Sequence, residues 1–313
     1  MLQKIRDVFG INAPEGAMIE VREPKEGNET LIPKKNKGYV HRTEVLADIL
    51  SWVMGACGKA PLYLAGPTGT GKSTAIEQVA ACLNVPCFVV SCHEAMEAPE
   101  LMGRFVVREG NMQWEDGPLL KGLKHPDGAW VLLDEVDTLR PGAAMALNAL
   151  IEGRTVMVPE TGELIDPTKF GARIVCAGNT NGAGDNGTGY SGTNMQNRAL
   201  MGRFVMLRVN YPDPEVEFKI VSGNAPDLEP EKIKTMIKVA NEVRKLAENG
   251  ETEVVFCTRS LIHWAMIARF NEQKPGVNPV IYALDRAIGF KYDEPSRIGL
   301  HELTQRVFGE AAA

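Results

Sequence analysis

The stretch Gly66-Pro67-Thr68-Gly69-Thr70-Gly71-Lys72-Ser73 meets the pattern G-x-x-x-x-G-K-S/T at every fixed position, and it limits this chain more than any other feature. It lies between an apolar run, Pro61–Ala65, and a helix-like run, Thr74–Leu83, so it reads as a strand-to-helix turn. Glycines let such a turn curl until successive N–H groups face phosphate oxygens. Lys72 adds a point charge near the outer phosphates, and the Ser73 hydroxyl is of the right kind to ligate Mg²⁺. The expectation is that residues Gly66, Pro67, Thr68, Gly69, Thr70, Gly71, Lys72 and Ser73 bind a nucleoside triphosphate.

Further along, Ala129-Trp130-Val131-Leu132-Leu133 is continuously apolar, as a strand buried on both faces is, and it ends in Asp134-Glu135. An acid at the tip of such a strand helps hold Mg²⁺ in phosphate-loop ATPases, which assigns that role to Asp134. Glu135 is then the candidate base that orients or polarises the attacking water. Asp137 competes for the metal role but lies beyond the strand end and ranks lower.

The 313 residues are enough for about two domains and a sizeable core. Hydrophobic content of 44% and charged content of 24% are those of an ordinary globular protein. A formal charge of −6 leaves no broad basic footprint, which makes nucleic acid the weaker class of partner. No apolar run reaches the length of a membrane span and the first residues lack a signal-peptide core, so a cytoplasmic protein without membrane contact is expected. The six cysteines form no C-x-x-C pair and mostly sit in apolar segments, and the five histidines lack ligand spacing. Mg²⁺ accompanying the nucleotide is the one metal expected.

Residues 1–40 are polar and rich in Pro and Gly and read as an N-terminal arm. From 41 to 211, strand-like runs (Leu62–Ala65, Phe88–Val90, Trp130–Leu133, Ile174–Ala177, Val205–Val209) alternate with helical ones, the pattern of an α/β domain with a parallel sheet covered by helices. From 212 to 313 only helical periodicity remains, which predicts a small all-helical lid domain. Within the core, Phe105–Trp114 and Arg154–Asp166 read as hairpins, the first turning at Gly110-Asn111 and the second around Glu160-Thr161-Gly162.

Phosphate loop, Asp-Glu strand, a third strand ending in Ala177-Gly178-Asn179-Thr180, then Gly202-Arg203-Phe204 and a helical lid follow one another in an order that resembles AAA+ ATPases of the MoxR clade. Ile5-Arg6-Asp7-Val8-Phe9-Gly10-Ile11, Gly69-Thr70-Gly71-Lys72-Ser73-Thr74 with Ile76-Glu77-Gln78-Val79-Ala80 after it, and the glycine-rich Gly182–Thr193 loop look like the ATPase subunits of aerobic cobaltochelatases. The resemblance implies an AAA+ fold, ATP with Mg²⁺ as ligands, hydrolysis of a phosphoric anhydride, and Thr74 as a further nucleotide contact. It places Asn179 as the sensor beside the γ-phosphate and Arg203 as the arginine finger reaching a neighbouring subunit, with Arg198 as a second basic candidate. Arg259 takes the second sensor position at the start of a lid helix, and Tyr39 and Val40 fall on the segment flanking adenine. The implied partners are other copies of the chain, in a ring with a hexamer as the expected form, and a protein client, for which a metal chelatase and a protein with a von Willebrand A-type domain are the candidates. A nucleic-acid-dependent motor or restriction-type translocase subunit is the alternative, and a nucleotide-dependent switch without turnover a third. The complete set Asp134, Glu135, Asn179 and Arg203 argues against the switch, which needs no hydrolytic set.

Overall fold

The computed structural model describes residues 1–185 and 192–309, so part of the glycine-rich 182–193 loop lies outside the described residues. The chain divides into two compact units: residues 1–36, 43–66 and 71–209 form the first, and residues 37–42, 67–70 and 210–313 the second.

The first unit is built on a five-stranded sheet: β1 (Leu62–Ala65), β2 (Cys87–Ser91), β3 (Trp130–Asp134), β4 (Arg173–Gly178) and β5 (Val205–Arg208). Their spatial order is β5-β1-β4-β3-β2 and every pairing is parallel. The continuous apolar runs have a direct cause. Along β1, Leu62 and Leu64 enter the core on one face, while Tyr63 and Ala65 enter the core on the other. On β3 the same alternation sends Trp130 and Leu132 one way and Val131 and Leu133 the other. Helices α1 (Thr43–Val53) and α2 (Lys72–Leu83) cover the first face, with Ile49 and Ile76 both fully buried in its core.

Residues 1–36 are more than an arm. Leu2–Lys4 and Met18–Glu20 pair antiparallel around the short helix Ile5–Phe9, which Gly10 ends in the left-handed conformation, and Ile5, Phe9, Ile19 and Val21 are buried in the core beside α1 and α2. Burying these four side chains is worth several kcal/mol, at about 1.5–3 kcal/mol each.

Two hairpins project from this unit. In the first, Gly103–Arg108 pairs with Asn111–Asp116, and the two-residue turn is Glu109-Gly110, one position earlier than expected. Both turn residues have positive φ, +52° and +80°, as a type I′ turn requires. In the second, Val156–Met157 pairs with Leu164–Ile165.

The second unit is helical: α3 (Pro214–Asn224), α4 (Pro230–Glu248), α5 (Thr258–Phe270), α6 (Pro279–Ala287) and α7 (Glu294–Phe308). They enclose a core of their own around Met236, Phe256, Trp264, Leu284 and Leu300.

Candidate functional site

In the first unit, the carboxyl ends of β1, β3 and β4 carry the residues singled out from the sequence. Gly66 directly follows β1. A Cβ at this position would lie 2.0 Å from the Val209 carbonyl oxygen, so no larger residue fits. Gly71 has φ +86° and caps α2 without any side-chain bond, which leaves the helix N-terminus to a ligand. Lys72 is 7% exposed, and its amine donates to the Gly66 carbonyl at 2.8 Å and to Asn179 Oδ1 at 3.1 Å. Asn179 itself follows the last residue of β4. The structure thus joins Lys72 of the phosphate loop to the expected sensor. Ser73 is half-buried on the first turn of α2, and Thr74 is exposed beside it.

At the end of β3, Asp134 is half-buried and its Oδ1 accepts the Glu135 N–H at 3.1 Å. Glu135 is exposed and has φ +55°, a left-handed backbone that costs a non-glycine residue about 1–2 kcal/mol. The Thr138 hydroxyl and amide both bind the Glu135 carbonyl, at 2.7 and 2.9 Å, and hold it there. Asp137 is a different case. It is fully buried, and its Oδ2 accepts the Thr180 amide at 2.8 Å and hydroxyl at 3.0 Å. That carboxylate ties the loop after β3 to the loop after β4, which leaves Asp134 as the acid facing outward.

The negative charge at this strand end is felt by its neighbours. Burial and then Asp134 push the Glu77 carboxyl above its usual range. Burial, followed by Asp134, Glu135 and Asp137, pushes the Cys92 thiol up to about 12. A divalent cation fits such a site, since it would offset carboxylate charge that has no ion-pair partner among the described residues. Ser73 and Asp134 are the residues that would hold it.

Arg203 is not free in the single chain. Its Nε and Nη2 both donate to Glu152 Oε1 at 2.6 Å, and its Nη1 donates to the Ala199 carbonyl. Glu152 also binds Arg154 through Oε2 at 2.7 Å. Arg198, the second basic candidate, is exposed at the start of the helix Arg198–Met201.

The second unit contains the tip of the phosphate loop, residues 67–70. The Thr70 hydroxyl donates to the Pro67 carbonyl at 2.9 Å, and the Tyr211 hydroxyl donates to the Thr68 carbonyl at 3.3 Å. Gly69 has φ +69°, and a Cβ there would fall 2.6 Å from Cys257 Cβ and 3.7 Å from Arg259 Cβ. Arg259 is exposed on the first turn of α5, so its side chain starts beside the loop tip. Tyr39 and Val40 are half-buried, with Tyr39 edge-on to His41 at 4.8 Å, and burial lowers the His41 imidazole to about 4.

One group of residues went unnoticed in the sequence. Glu217, fully buried in α3, binds Arg244 of α4 in a bidentate pair at 2.7 and 2.8 Å and accepts the Thr258 hydroxyl at 2.7 Å. Arg244 also donates to the Phe256 carbonyl at 2.8 Å, and its guanidinium lies 4.2 Å from the centre of the Tyr211 ring. A signal was present: Arg244 falls on the apolar stripe Ile233-Ile237-Ala240, where a charge needs a buried partner.

A strand order of β5-β1-β4-β3-β2 with a phosphate loop after β1 and an Asp-Glu pair after β3 defines an AAA-type ATPase domain. Comparison with family models agrees: the AAA domain of the dynein-related subfamily matches residues 61–204, and the CbbQ/NirQ/NorQ C-terminal family matches residues 217–307. Protein NorQ of Paracoccus denitrificans (strain Pd 1222) is 29% identical over 81% of this chain and 88% of its own length. Aerobic cobaltochelatase subunit CobS of Sinorhizobium sp is 29% identical over 97% of this chain and 90% of its own. Protein CbbQ of Hydrogenophilus thermoluteolus is 31% identical over 66% of this chain and 73% of its own. The chain belongs to the MoxR-type AAA ATPases of the CbbQ/NirQ/NorQ family. Membership implies nucleotide binding. Among the described residues no helix is long and apolar enough to cross a membrane.

Proposed function

We propose that this chain hydrolyses ATP with Mg²⁺ and uses the cycle, as a ring of identical subunits, to remodel a protein client. The observation that carries the reading is the Lys72 amine held between the Gly66 carbonyl and Asn179 Oδ1, at the N-terminus of α2. A buried lysine between two oxygens is aimed, and the phosphates of a nucleotide are the anions its surroundings suit. Mg²⁺ held by Ser73 and Asp134 would supply neutralisation of the phosphate charge. Glu135 orients the attacking water and takes its proton, from a backbone fixed by Thr138. Asn179, uncharged, accepts from Lys72 and keeps an N–H₂ group to donate to the γ-phosphate or the water. Arg259 acts as the lid's sensor. Arg203 acts in trans as the finger, with Glu152 holding it until a neighbouring subunit's nucleotide competes for it. A relative named as an aerobic cobaltochelatase subunit supports a client that is a chelatase or another metalloenzyme.

The test divides binding from chemistry. Lys72→Ala should lose nucleotide binding, and Glu135→Gln should keep it while losing about 10²–10⁴ in rate. Hydrolysis by Glu135→Gln at the wild-type rate would remove the base assignment. Mixing Arg203→Ala with Lys72→Ala subunits should restore part of the activity, because a sound phosphate loop then meets a sound finger. Oligomers that form but stay inactive at every ratio would count against a finger in trans.

A further inference from the structure

Two carbonyls of the phosphate-loop tip are already bonded to the chain: Pro67 to the Thr70 hydroxyl, and Thr68 to the Tyr211 hydroxyl. A trans peptide is planar, and its C=O and N–H point in opposite directions. Fixing the Thr68 carbonyl toward Tyr211 therefore turns the Gly69 N–H to the other side of the loop. The glycine at 69 is free to rotate through left-handed space, so the peptide plane needs an external hold to stay in one orientation.

Tyr211 is itself held. Arg244 lies over its ring at 4.2 Å, and the guanidinium is anchored by two bonds to the fully buried Glu217 and one to the Phe256 carbonyl. From the same carboxylate a bond at 2.7 Å fixes the Thr258 hydroxyl, in the residue directly before Arg259. Cys257, which precedes Thr258, packs on Gly69 from the α5 side. One buried pair thus sets both the tyrosine that orients the loop peptide and the helix start that carries the sensor arginine.

We propose that Tyr211 is a positioning residue for phosphate binding, whose hydroxyl holds the Thr68–Gly69 peptide with its N–H toward the nucleotide, and that the Glu217–Arg244 pair keeps its ring in place. The inference rests on the reading of residues 66–73 as the phosphate site and adds to it a residue outside the motif. Phosphate-loop N–H groups cradle the α- and β-phosphates. Misorienting one of them should weaken ligands with a β-phosphate more than those without.

The experiment is calorimetric titration of the full chain with ADP and with AMP, for wild type, Tyr211→Phe and Lys72→Ala. Tyr211→Phe keeps the ring on Arg244 and removes one hydroxyl. Taking the ratio of the two affinities cancels any loss of folded fraction, so an effect of stability alone does not move it. The expected result is a ratio that falls about 3–10-fold toward AMP in Tyr211→Phe, the size of one hydrogen bond. An unchanged ratio in Tyr211→Phe, with ADP binding lost in Lys72→Ala, overturns the positioning role and leaves the phosphate site standing. ADP affinity in Lys72→Ala equal to that of wild type overturns the phosphate site, and the inference with it.

Discussion

Glu217 in the helical unit and Asp134 at the end of β3 are both carboxylates close to an N–H donor, yet their surroundings differ at every other point. Glu217 is fully buried, and its oxygens accept from Arg244 twice and from Thr258 once. Asp134 is half-buried, accepts the Glu135 amide, and raises the proton affinity of Glu77 and Cys92 around it. Where a charge is neutralised by the chain itself, the fold depends on it and no ligand is called for. Where it stays uncompensated and partly open, the fold gains nothing from it and a cation does. Asp137 matches neither: it is buried and bonded to Thr180 through Oδ2, while its Oδ1 has no partner among the described residues.

The largest expected effect tests the buried member of this contrast. Arg244→Ala leaves Glu217 charged in the core without its counter-charge, which should cost about 3–5 kcal/mol of stability. Asp134→Asn should change stability by no more than about 0.5 kcal/mol, as substitutions without a buried partner do, while abolishing hydrolysis. Thermal unfolding of both variants decides the matter. If Arg244→Ala melted within a degree or two of wild type, or Asp134→Asn melted far below it, the two acids would not belong to different classes.

A smaller effect concerns His41, which the second unit handles by keeping it neutral. Burial lowers its imidazole to about 4, against an ordinary value near 6.5. The unfolded chain then binds a proton that the folded chain refuses. The stabilisation is fully present above about pH 6.5 and is lost as pH falls toward 4. Partial exposure reduces it to about 1–2 kcal/mol. Glu77 gives the opposite sign, because its raised carboxyl makes the folded state the stronger proton binder, so acid relieves it. The thermal midpoint should drop between pH 7 and pH 5 by more in wild type than in His41→Gln. Equal drops would show that the imidazole titrates as freely in the fold as in water.

How far each region was legible follows from the range of the interactions that build it. The phosphate loop is one unbroken segment whose function lies in its backbone, and Gly66, Gly69 and Gly71 are required by contacts and φ angles that their spacing already implied. The five strands were readable because burial on both faces leaves continuous apolar runs. Residues 1–36 were not, since strands of three residues and a helix of five are too short to show a period. The turn of the first hairpin was placed one residue late because Gly-Asn is strong turn chemistry, whereas here Glu109 takes the left-handed position. The Glu217–Arg244 pair was hidden because its members lie 27 residues apart, and only the fold brings them together.

The smallest expected effect on stability belongs to the hairpins, which carry the contrast between satisfied and unsatisfied groups over to apolar side chains. In the first, Val107 and Met112 face each other across the strands at 72% and 70% exposure, next to the edge-on pair Phe105 and Trp114 on the same face. In the second, Met157 and Leu164 form another exposed cross-strand pair. Buried apolar pairs hold the cores of both units; these do not hold the fold, and a client is the surface that our proposed function supplies for them. Val107→Thr with Met112→Gln should shift stability by no more than about 0.5 kcal/mol and leave basal hydrolysis as it is, because the residues touch neither core nor nucleotide site. Stimulation of hydrolysis by a co-purified client should be lost. Should the double variant still be stimulated, and Met157→Gln with Leu164→Gln as well, the hairpins would be surface decoration. The client would then have to bind elsewhere, with the N-terminal ribbon the next segment to substitute.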